Sequence, residues 1–190
     1  MEVGILLFNQ VEVLDFAGPY EVFAGAREDD KELFSVSTVG RSNSVICRGG
    51  LKVKPDVFFT DQPAFDILVV PGGPGTRAPE DELKDVVEFI RQAAKKTEIT
   101  AGVCTGSFLM AKAGLLNGLR ATTHYRYRMS LKEQFPEIQV VEDRIVDCGR
   151  IVTSAGVATG IDMALYLLKR LHGEALSRQV RENMEYHTHR

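Results

Sequence analysis

Two short runs of strand-forming residues that end abruptly at small residues constrain the fold of this chain most strongly. Asp66 to Val70 stops at Pro71-Gly72-Gly73-Pro74-Gly75, and Ile99 to Val103 stops at Cys104. Such runs predict strands, and the amphipathic segment from Glu80 to Lys95 predicts a helix between them. Strands that alternate with helices in this order predict a mainly parallel sheet covered by helices on both faces.

The same alternation extends along the rest of the chain. Further strands are predicted at Val3 to Phe8, Leu33 to Val39, Ile138 to Val141, Arg144 to Asp147 and Arg150 to Thr153, with a hairpin from Val45–Cys47 and Leu51–Val53. Further helices are predicted from Pro19, as a first-turn residue, through Ala26, and at Phe108–Lys112, Tyr125–Phe135, Val157–Leu171 and Glu174–Glu185. We therefore expect one α/β domain over residues 1–190, with a mainly parallel, flavodoxin-like sheet sandwiched by helices.

Composition and charge argue against nucleic acids and membranes as partners of this chain. The chain has 190 residues, a formal net charge of −3 and a sequence pI near 5.8. These values give no general attraction to nucleic acid or anionic membranes, and no apolar run reaches membrane-spanning length. The first residues enter a strand directly instead of a signal segment, which predicts a cytoplasmic protein. Three widely spaced cysteines argue against a disulfide framework and have no metal-ligand spacing.

Cys104 has the sequence context of a nucleophile. It lies between the strand ending at Val103 and a helix restarting at Phe108, with small neighbours that permit a tight turn. Such a strand-to-helix turn is a nucleophile elbow, which exposes the side chain beyond the sheet. The amides and dipole at the start of the following helix favour a thiolate there. The alternative interpretation is a buried cysteine that fills apolar space.

Three groups are predicted to meet at the carboxyl ends of the strands, where ligands bind in such sheets. Asp15 follows the first strand, Gly72 and Gly73 follow the Asp66–Val70 strand, and Cys104 with Thr105 follows the Ile99–Val103 strand. Glycines allow backbone amides to approach a reacting atom closely, as an oxyanion site requires. The alternative is that the glycines form only a flexible turn, and that Asp15 only caps a helix.

Histidines and the remaining polar residues leave alternatives open. His124 is a candidate base or a residue that caps or packs at a helix start, and His187 and His189 are weak candidates for metal binding near the end of the chain. Arg120, Arg126 and Arg128 predict a solvated basic patch, and Asp162 is expected to cap or pair. Cys47 and Cys148 are expected at core or edge positions.

Five segments, in this order, resemble the ThiJ/PfpI superfamily, which has the class I glutamine amidotransferase-like fold. They are Leu14–Phe23, Val70–Gly73, Ala101–Gly106, Ala121–His124 and Ser154–Asp162. Within the superfamily the chain most resembles isonitrile hydratases. Closely similar domains are the ligand-sensing halves of AraC-type transcription regulators.

The resemblance implies roles for individual residues. Cys104 would be the nucleophile, Asp15 its acidic partner, and Thr105 the residue that orients water or substrate. Oxyanion or substrate-binding positions would be Gly72, Gly73, His124 and Gly156. The implied reaction is hydration of an isonitrile to an N-substituted formamide through a thioimidate on Cys104, without a metal or organic cofactor. A small-molecule substrate and a homodimer are also implied.

Three other activities of the superfamily are weighed against this one. Peptidases carry a histidine after the cysteine, where this chain has Thr105, so peptidase activity is not expected. The branch of glyoxalases and deglycases, which act on reactive aldehydes, generally has glutamate at the position of Asp15. A regulator of the AraC type needs a helix-turn-helix domain, and the roughly eighteen residues after His172 are expected to be too few for one.

Overall fold

The computed structural model describes residues 1–187 and is organised around one central sheet. The strands are β1 (Glu2–Leu7), β2 (Arg27–Glu28), β3 (Lys31–Glu32), β4 (Ser35–Gly40), β5 (Val45–Ile46), β6 (Lys52–Val53), β7 (Val57–Phe58), β8 (Ile67–Val70), β9 (Ile99–Val103), β10 (Arg120–Ala121), β11 (Gln139–Val140), β12 (Ile145–Asp147) and β13 (Ile151–Ser154). The α-helices are α1 (Val13–Ala24), α2 (Glu80–Ala93), α3 (Gly106–Lys112), α4 (Arg128–Gln134), α5 (Thr159–His172) and α6 (Glu174–Asn183).

The central sheet has seven strands in the order β12-β13-β9-β8-β1-β4-β7. Every neighbouring pair is parallel except β12 with β13. Val3 of β1 lies opposite both Ile67 of β8 and Val36 of β4, which places β1, β8 and β9 in the interior of the sheet. The residues of β8 and β9 are all buried, because helices flank the sheet. The predicted mainly parallel α/β fold is confirmed.

The position of Pro19 differs from the sequence prediction, and it lies where α1 and α5 are in close contact. Helix α1 begins at Val13, so Pro19 lies inside the helix and not in its first turn. Pro19 has no N–H to donate to the carbonyl of Asp15, and burial of the apolar face of α1 compensates for this lost bond. A Cβ at Gly160 of α5 would lie 3.2 Å from Pro19 Cδ, so the small residue lets the two helices approach.

Other helices and strands also differ in part from those predicted from the sequence. The predicted Tyr125–Phe135 helix is divided into a 3₁₀ turn at Tyr125–Tyr127 followed by α4. The predicted hairpin is present as β5 with β6, and a second hairpin, β2 with β3, is made of charged residues that carry no periodic apolar signal. Cys47 is buried and Cys148 is half-buried. Within residues 1–187, no helix is long and apolar enough to cross a membrane.

Candidate active site

Cys104 occupies a strained turn between β9 and α3. Its φ is 56°, in the left-handed region that residues with a Cβ rarely adopt. Small neighbours make the turn possible, because a Cβ at Gly106 would lie 2.0 Å from the carbonyl oxygen of Val70. The strand-to-helix elbow expected from the sequence is therefore present, and its backbone conformation is one that surrounding contacts must hold.

Hydrogen bonds to the backbone of Cys104 hold this turn. Thr123 Oγ1 donates to the carbonyl of Cys104 over 2.8 Å, and Ser107 Oγ donates to the same carbonyl over 3.1 Å. The Cys104 amide donates to the carbonyls of Ser154 and Ala155, each at 3.1 Å. The sequence did not identify Thr123 or Ser107 as site residues. Residue order does not show which acceptor a hydroxyl side chain beside a turn will bind.

Asp15 lies in the first turn of α1 with no exposed surface. The Gly72 amide donates to Asp15 Oδ2 over 2.9 Å, whereas Oδ1 is buried without a nitrogen or oxygen partner among the described residues. Burial raises the pKa of Asp15 to about 7, although the hydrogen bond from the Gly72 amide and the neighbouring Cys104 thiol lower it.

The Cys104 side chain is 6% exposed, and burial raises the pKa of its thiol. The negative charge of Asp15 raises it further, whereas the amide and hydroxyl of Thr105 lower it. The Thr105 amide at the helix start therefore acts in the predicted direction, but burial and Asp15 outweigh it, so the pKa of the thiol is raised. Two acidic groups this close do not both ionise, so the Asp15–Cys104 pair retains a proton.

The loop after β8 positions the acidic partner and Thr105. The Gly73 amide donates to Thr105 Oγ1 over 2.9 Å, and the Thr105 hydroxyl donates back to the Gly73 carbonyl over 3.2 Å. Since the Gly72 amide is bound to Asp15, both amides are engaged, and the expectation of free oxyanion donors is wrong for the resting protein. A Cβ at Gly72 would lie 2.8 Å from Asp15 Oδ2, so this glycine permits the close approach.

His124 and Gly156 lie beside the sulfur of Cys104. A Cβ at Gly156 would be 2.3 Å from His124 Cδ2 and 2.9 Å from Cys104 Sγ. His124 begins the 3₁₀ turn, where its Nδ1 accepts from the Arg126 amide at 3.3 Å. Burial lowers the pKa of His124, and nearby arginines lower it further, so the imidazole is neutral at neutral pH. The capping role is therefore present, and a role as a base stays a prediction.

Aromatic and charged residues surround the elbow. The Tyr125 ring stacks on His124 with centroids 4.8 Å apart, and the centre of the Tyr127 ring lies 5.7 Å from that of His124. Arg77 Cζ lies 4.4 Å from the centre of the Tyr127 ring. We call Tyr125, His124 and Tyr127 the aromatic row. The sequence predicts a helix that contains Tyr125 and Tyr127.

The remaining candidates lie apart from this site. Within residues 1–187, no cluster of three or more histidine, cysteine or acidic residues could hold a metal ion. His187 is exposed, and His189 lies outside the described residues. Asp162 pairs with Arg144, as its expected pairing role required. A surface cavity of about 900 Å³ between α2, α3 and α4 has neither cysteine nor histidine in its lining, so it is separate from the site around Cys104.

Comparison with known proteins identifies relatives of the whole chain. The sequence profile of the DJ-1/PfpI family matches residues 1–170. An isonitrile hydratase from Pseudomonas putida is 37% identical over 188 residues, which cover 98% of this chain and 78% of that protein. The transcriptional regulator GbdR of Pseudomonas aeruginosa is 30% identical over 97% of this chain. The chain spans only 50% of that regulator's length.

Two further matches show the breadth of the group. A glutathione-independent glyoxalase from Caenorhabditis elegans is 29% identical over 68% of this chain and 68% of its own length. The crystal structure of a ThiJ/PfpI family protein from Pseudomonas syringae superposes with a TM-score of 0.88 at 26% identity, covering 100% of this chain and 76% of that one. The chain is therefore similar in sequence to a hydratase, a transcriptional regulator and a glyoxalase.

Proposed function

This chain belongs to the DJ-1/PfpI family, and we propose that it is an isonitrile hydratase that uses Cys104 as its nucleophile. The observation that carries the proposal is the buried Asp15–Cys104 pair, which retains a proton beside a sulfur atom. An isonitrile carbon must accept a nucleophile and a proton at the same atom. A thiol and a carboxyl group that share a proton supply both the nucleophile and the proton. The 37% identity to an isonitrile hydratase supports the same reaction.

The first step adds the sulfur of Cys104 and the shared proton to the isonitrile carbon. The proton held between Asp15 and Cys104 moves through the Asp15 carboxyl to the isonitrile carbon, while the sulfur forms a bond to that carbon. The product of this step is a thioimidate on Cys104 and a carboxylate at Asp15. No separate base is required, because the pair loses its one proton as its sulfur becomes bonded.

The second step hydrolyses the thioimidate. The Asp15 carboxylate accepts a proton from water as the water oxygen bonds to the carbon, and that proton then passes to the nitrogen. Loss of the hydroxyl proton forms the carbonyl while the carbon–sulfur bond breaks, which returns one proton to the Asp15–Cys104 pair. The N-substituted formamide leaves. Thr105, whose hydroxyl lies beside the sulfur and the Gly72-Gly73 loop, positions the water in this scheme.

The scheme uses no metal or organic cofactor. It treats residues 1–190 as one domain whose partner is a small-molecule substrate. A cytoplasmic location and a homodimer are part of the same proposal, and each requires its own measurement. Fractionation tests the location, and sedimentation of the purified protein tests the dimer.

The test is turnover of an alkyl and an aryl isonitrile by the purified protein in oxygen-18 water. The expected product is the matching formamide with the label in its carbonyl, because water is the only oxygen source in the scheme. Cys104→Ala should abolish turnover, and Thr105→Val, which keeps the shape of the side chain, should reduce it strongly. Conversion of methylglyoxal to lactate without any formamide would replace this proposal with a glyoxalase. If neither substrate reacts, a ligand-sensing domain is the better account.

A further inference from the structure

Two arginines beside the elbow lack the carboxylate partner that most arginines of this protein have. Within residues 1–187, nine arginines lie within 4.0 Å of a carboxylate oxygen. Arg77 and Arg126 do not, and both belong to the surroundings of Cys104. Arg150 and Arg181 also lack a carboxylate within 4.0 Å in this part of the chain, and Arg150 donates instead to the carbonyls of Ala94 and Thr97.

Arg77 and Arg126 each lie against one of the two tyrosines that contact His124 in the aromatic row. Arg126 Nε donates to the Tyr125 hydroxyl over 2.9 Å, and its Cζ is 5.6 Å from the centre of that ring. Similarly, Arg77 Cζ lies 4.4 Å from the centre of the Tyr127 ring. A guanidinium on an aromatic face keeps its N–H groups free at its edge. Each tyrosine of the row therefore carries a cation with donors available to a ligand.

The aromatic row leads directly to the reactive sulfur. Its central ring, His124, and Cys104 Sγ border the same point, the position that a Cβ at Gly156 would occupy. Arg77 ends the 3₁₀ turn Pro74–Arg77, which follows the Gly72-Gly73 loop that contacts Asp15. A substrate bonded to the sulfur and lying along the row would therefore extend its distal end toward Arg77.

The charges around the site favour an anion at that end. Glu12, an acidic side chain whose charge, like that of Arg77, acts on the pKa of His124, pairs with Arg48 at 2.5 Å and not with Arg77. The Asp15–Cys104 pair, with one proton, carries one negative charge and would repel an anion that lacked a cationic partner. The fork of donors on an arginine matches the two oxygens of a carboxylate.

We propose that Arg77 binds a carboxylate on the substrate, so that the isonitriles hydrated by this protein are isocyano acids. The substrate class rests on the proposed hydratase function, whereas the anion site rests only on the geometry of Arg77 and the aromatic row. Arg126, on Tyr125, contributes to the positive field without contacting the carboxylate.

The first experiment compares isocyanoacetate with its methyl ester, which differs only in the charge of the distal group. We expect the wild-type protein to prefer the acid by at least tenfold in kcat/KM. Arg77→Met keeps an unbranched side chain on Tyr127 but removes the charge, and should reduce that preference ratio by about tenfold. Arg178→Met, on α6, is the matched control and should leave the ratio unchanged. Equal use of acid and ester by the wild type, or loss of the preference in Arg126→Met but not in Arg77→Met, would overturn the proposal.

A binding measurement separates the anion site from the reaction. Calorimetric titration of the Cys104→Ala protein with N-formylglycine and with its methyl ester needs no turnover. We expect the acid to bind at least tenfold more tightly, and the added change Arg77→Met to remove the difference. This result without any hydration of isonitriles would retain the anion site and reject the hydratase. Hydration by the wild type with equal binding of acid and ester would reject the anion site and retain the hydratase.

Discussion

The Gly72 backbone amide donates a 2.9 Å hydrogen bond to Oδ2 of Asp15, a carboxyl group with no exposed surface. This bond fixes one oxygen on the loop after β8 and leaves the other, Oδ1, buried without a nitrogen or oxygen partner among the described residues. It also stabilises the ionised carboxyl, but burial has the larger effect, and the pKa of Asp15 rises to about 7. We therefore expect both the proposed chemistry and the stability of the protein to depend on this carboxyl group.

Asp15→Asn should stabilise the fold as pH rises. The native pKa of Asp15, about 7, exceeds its ordinary value of 3.8, so the native state holds a proton that the unfolded chain has lost between these values. Stability of the wild type should therefore fall across this window, by about 4 kcal/mol in total from a shift of roughly three units. Asn keeps an oxygen for the Gly72 amide and does not ionise, so it avoids this loss.

Urea denaturation at intervals from pH 4 to pH 8 measures this difference. The advantage of Asp15→Asn over the wild type should grow with pH and level off above pH 7. Asp85→Asn, which changes an exposed carboxylate paired with Arg41, is the matched control and should show no such growth. Parallel stability curves for wild type and Asp15→Asn would mean that Asp15 ionises normally.

The rate of isonitrile hydration should rise with pH through an apparent pKa near 7. Below that value Asp15 and Cys104 each hold a proton, and the second proton blocks attack by sulfur. Above it the pair holds one proton, which is the reactive form, and the raised pKa of Cys104 keeps that form present well into the alkaline range. A profile of kcat/KM from pH 5 to pH 9 tests this, and a rate that falls with pH across this range would contradict the shared-proton scheme.

Thr123→Val should impair turnover more than binding. The change removes the hydroxyl that donates over 2.8 Å to the Cys104 carbonyl, which leaves Ser107 Oγ as the side-chain donor to that carbonyl among the described residues. Loss of a buried hydrogen bond costs about 1 to 3 kcal/mol of stability. We expect kcat to fall about tenfold with little change in KM, and Thr123→Ser to restore it. If Thr123→Val and Thr123→Ser have equal rates, the hydroxyl does not position Cys104.

Gly156→Ala should close the space beside the sulfur. The new methyl group would lie 2.9 Å from Cys104 Sγ and 2.3 Å from the His124 ring. We expect alkylation of Cys104 by iodoacetamide to slow at least tenfold, measured by peptide mapping. Cys148, a half-buried thiol elsewhere in the same protein, provides the internal reference. An unchanged ratio of the two alkylation rates would show that Gly156 does not border the accessible face of the thiol.

The sequence predicted the sheet well, because buried strands that end at glycine or cysteine leave a strong local pattern. It also predicted that Asp15, Gly72, Gly73, Cys104 and Thr105 converge, since carboxyl ends of parallel strands share one edge of a sheet. The interior position of Pro19 was not predictable, because it depends on the contact between Gly160 and α1. The single-domain assignment of residues 1–190 stays a prediction.

The degree to which burial raises the pKa values of Asp15 and Cys104 could not be predicted from residue order. The raised pKa of Cys104 follows from burial and from the charge of Asp15, which lies 89 positions earlier in the chain. The engaged amides of Gly72 and Gly73 likewise depend on side-chain positions that only the folded structure defines. The contact between Arg77 and Tyr127 joins two 3₁₀ turns that are far apart in the sequence, so no local sequence pattern indicates it.

Capture of the covalent intermediate tests the central claim most directly. The protein is mixed with an isonitrile, quenched in acid within milliseconds to seconds, and analysed by intact mass and by peptide mapping. We predict a transient mass increase equal to that of one isonitrile molecule, located on the peptide that contains Cys104 and absent in Cys104→Ala. Formation of the formamide at an undiminished rate by Cys104→Ala would contradict the account.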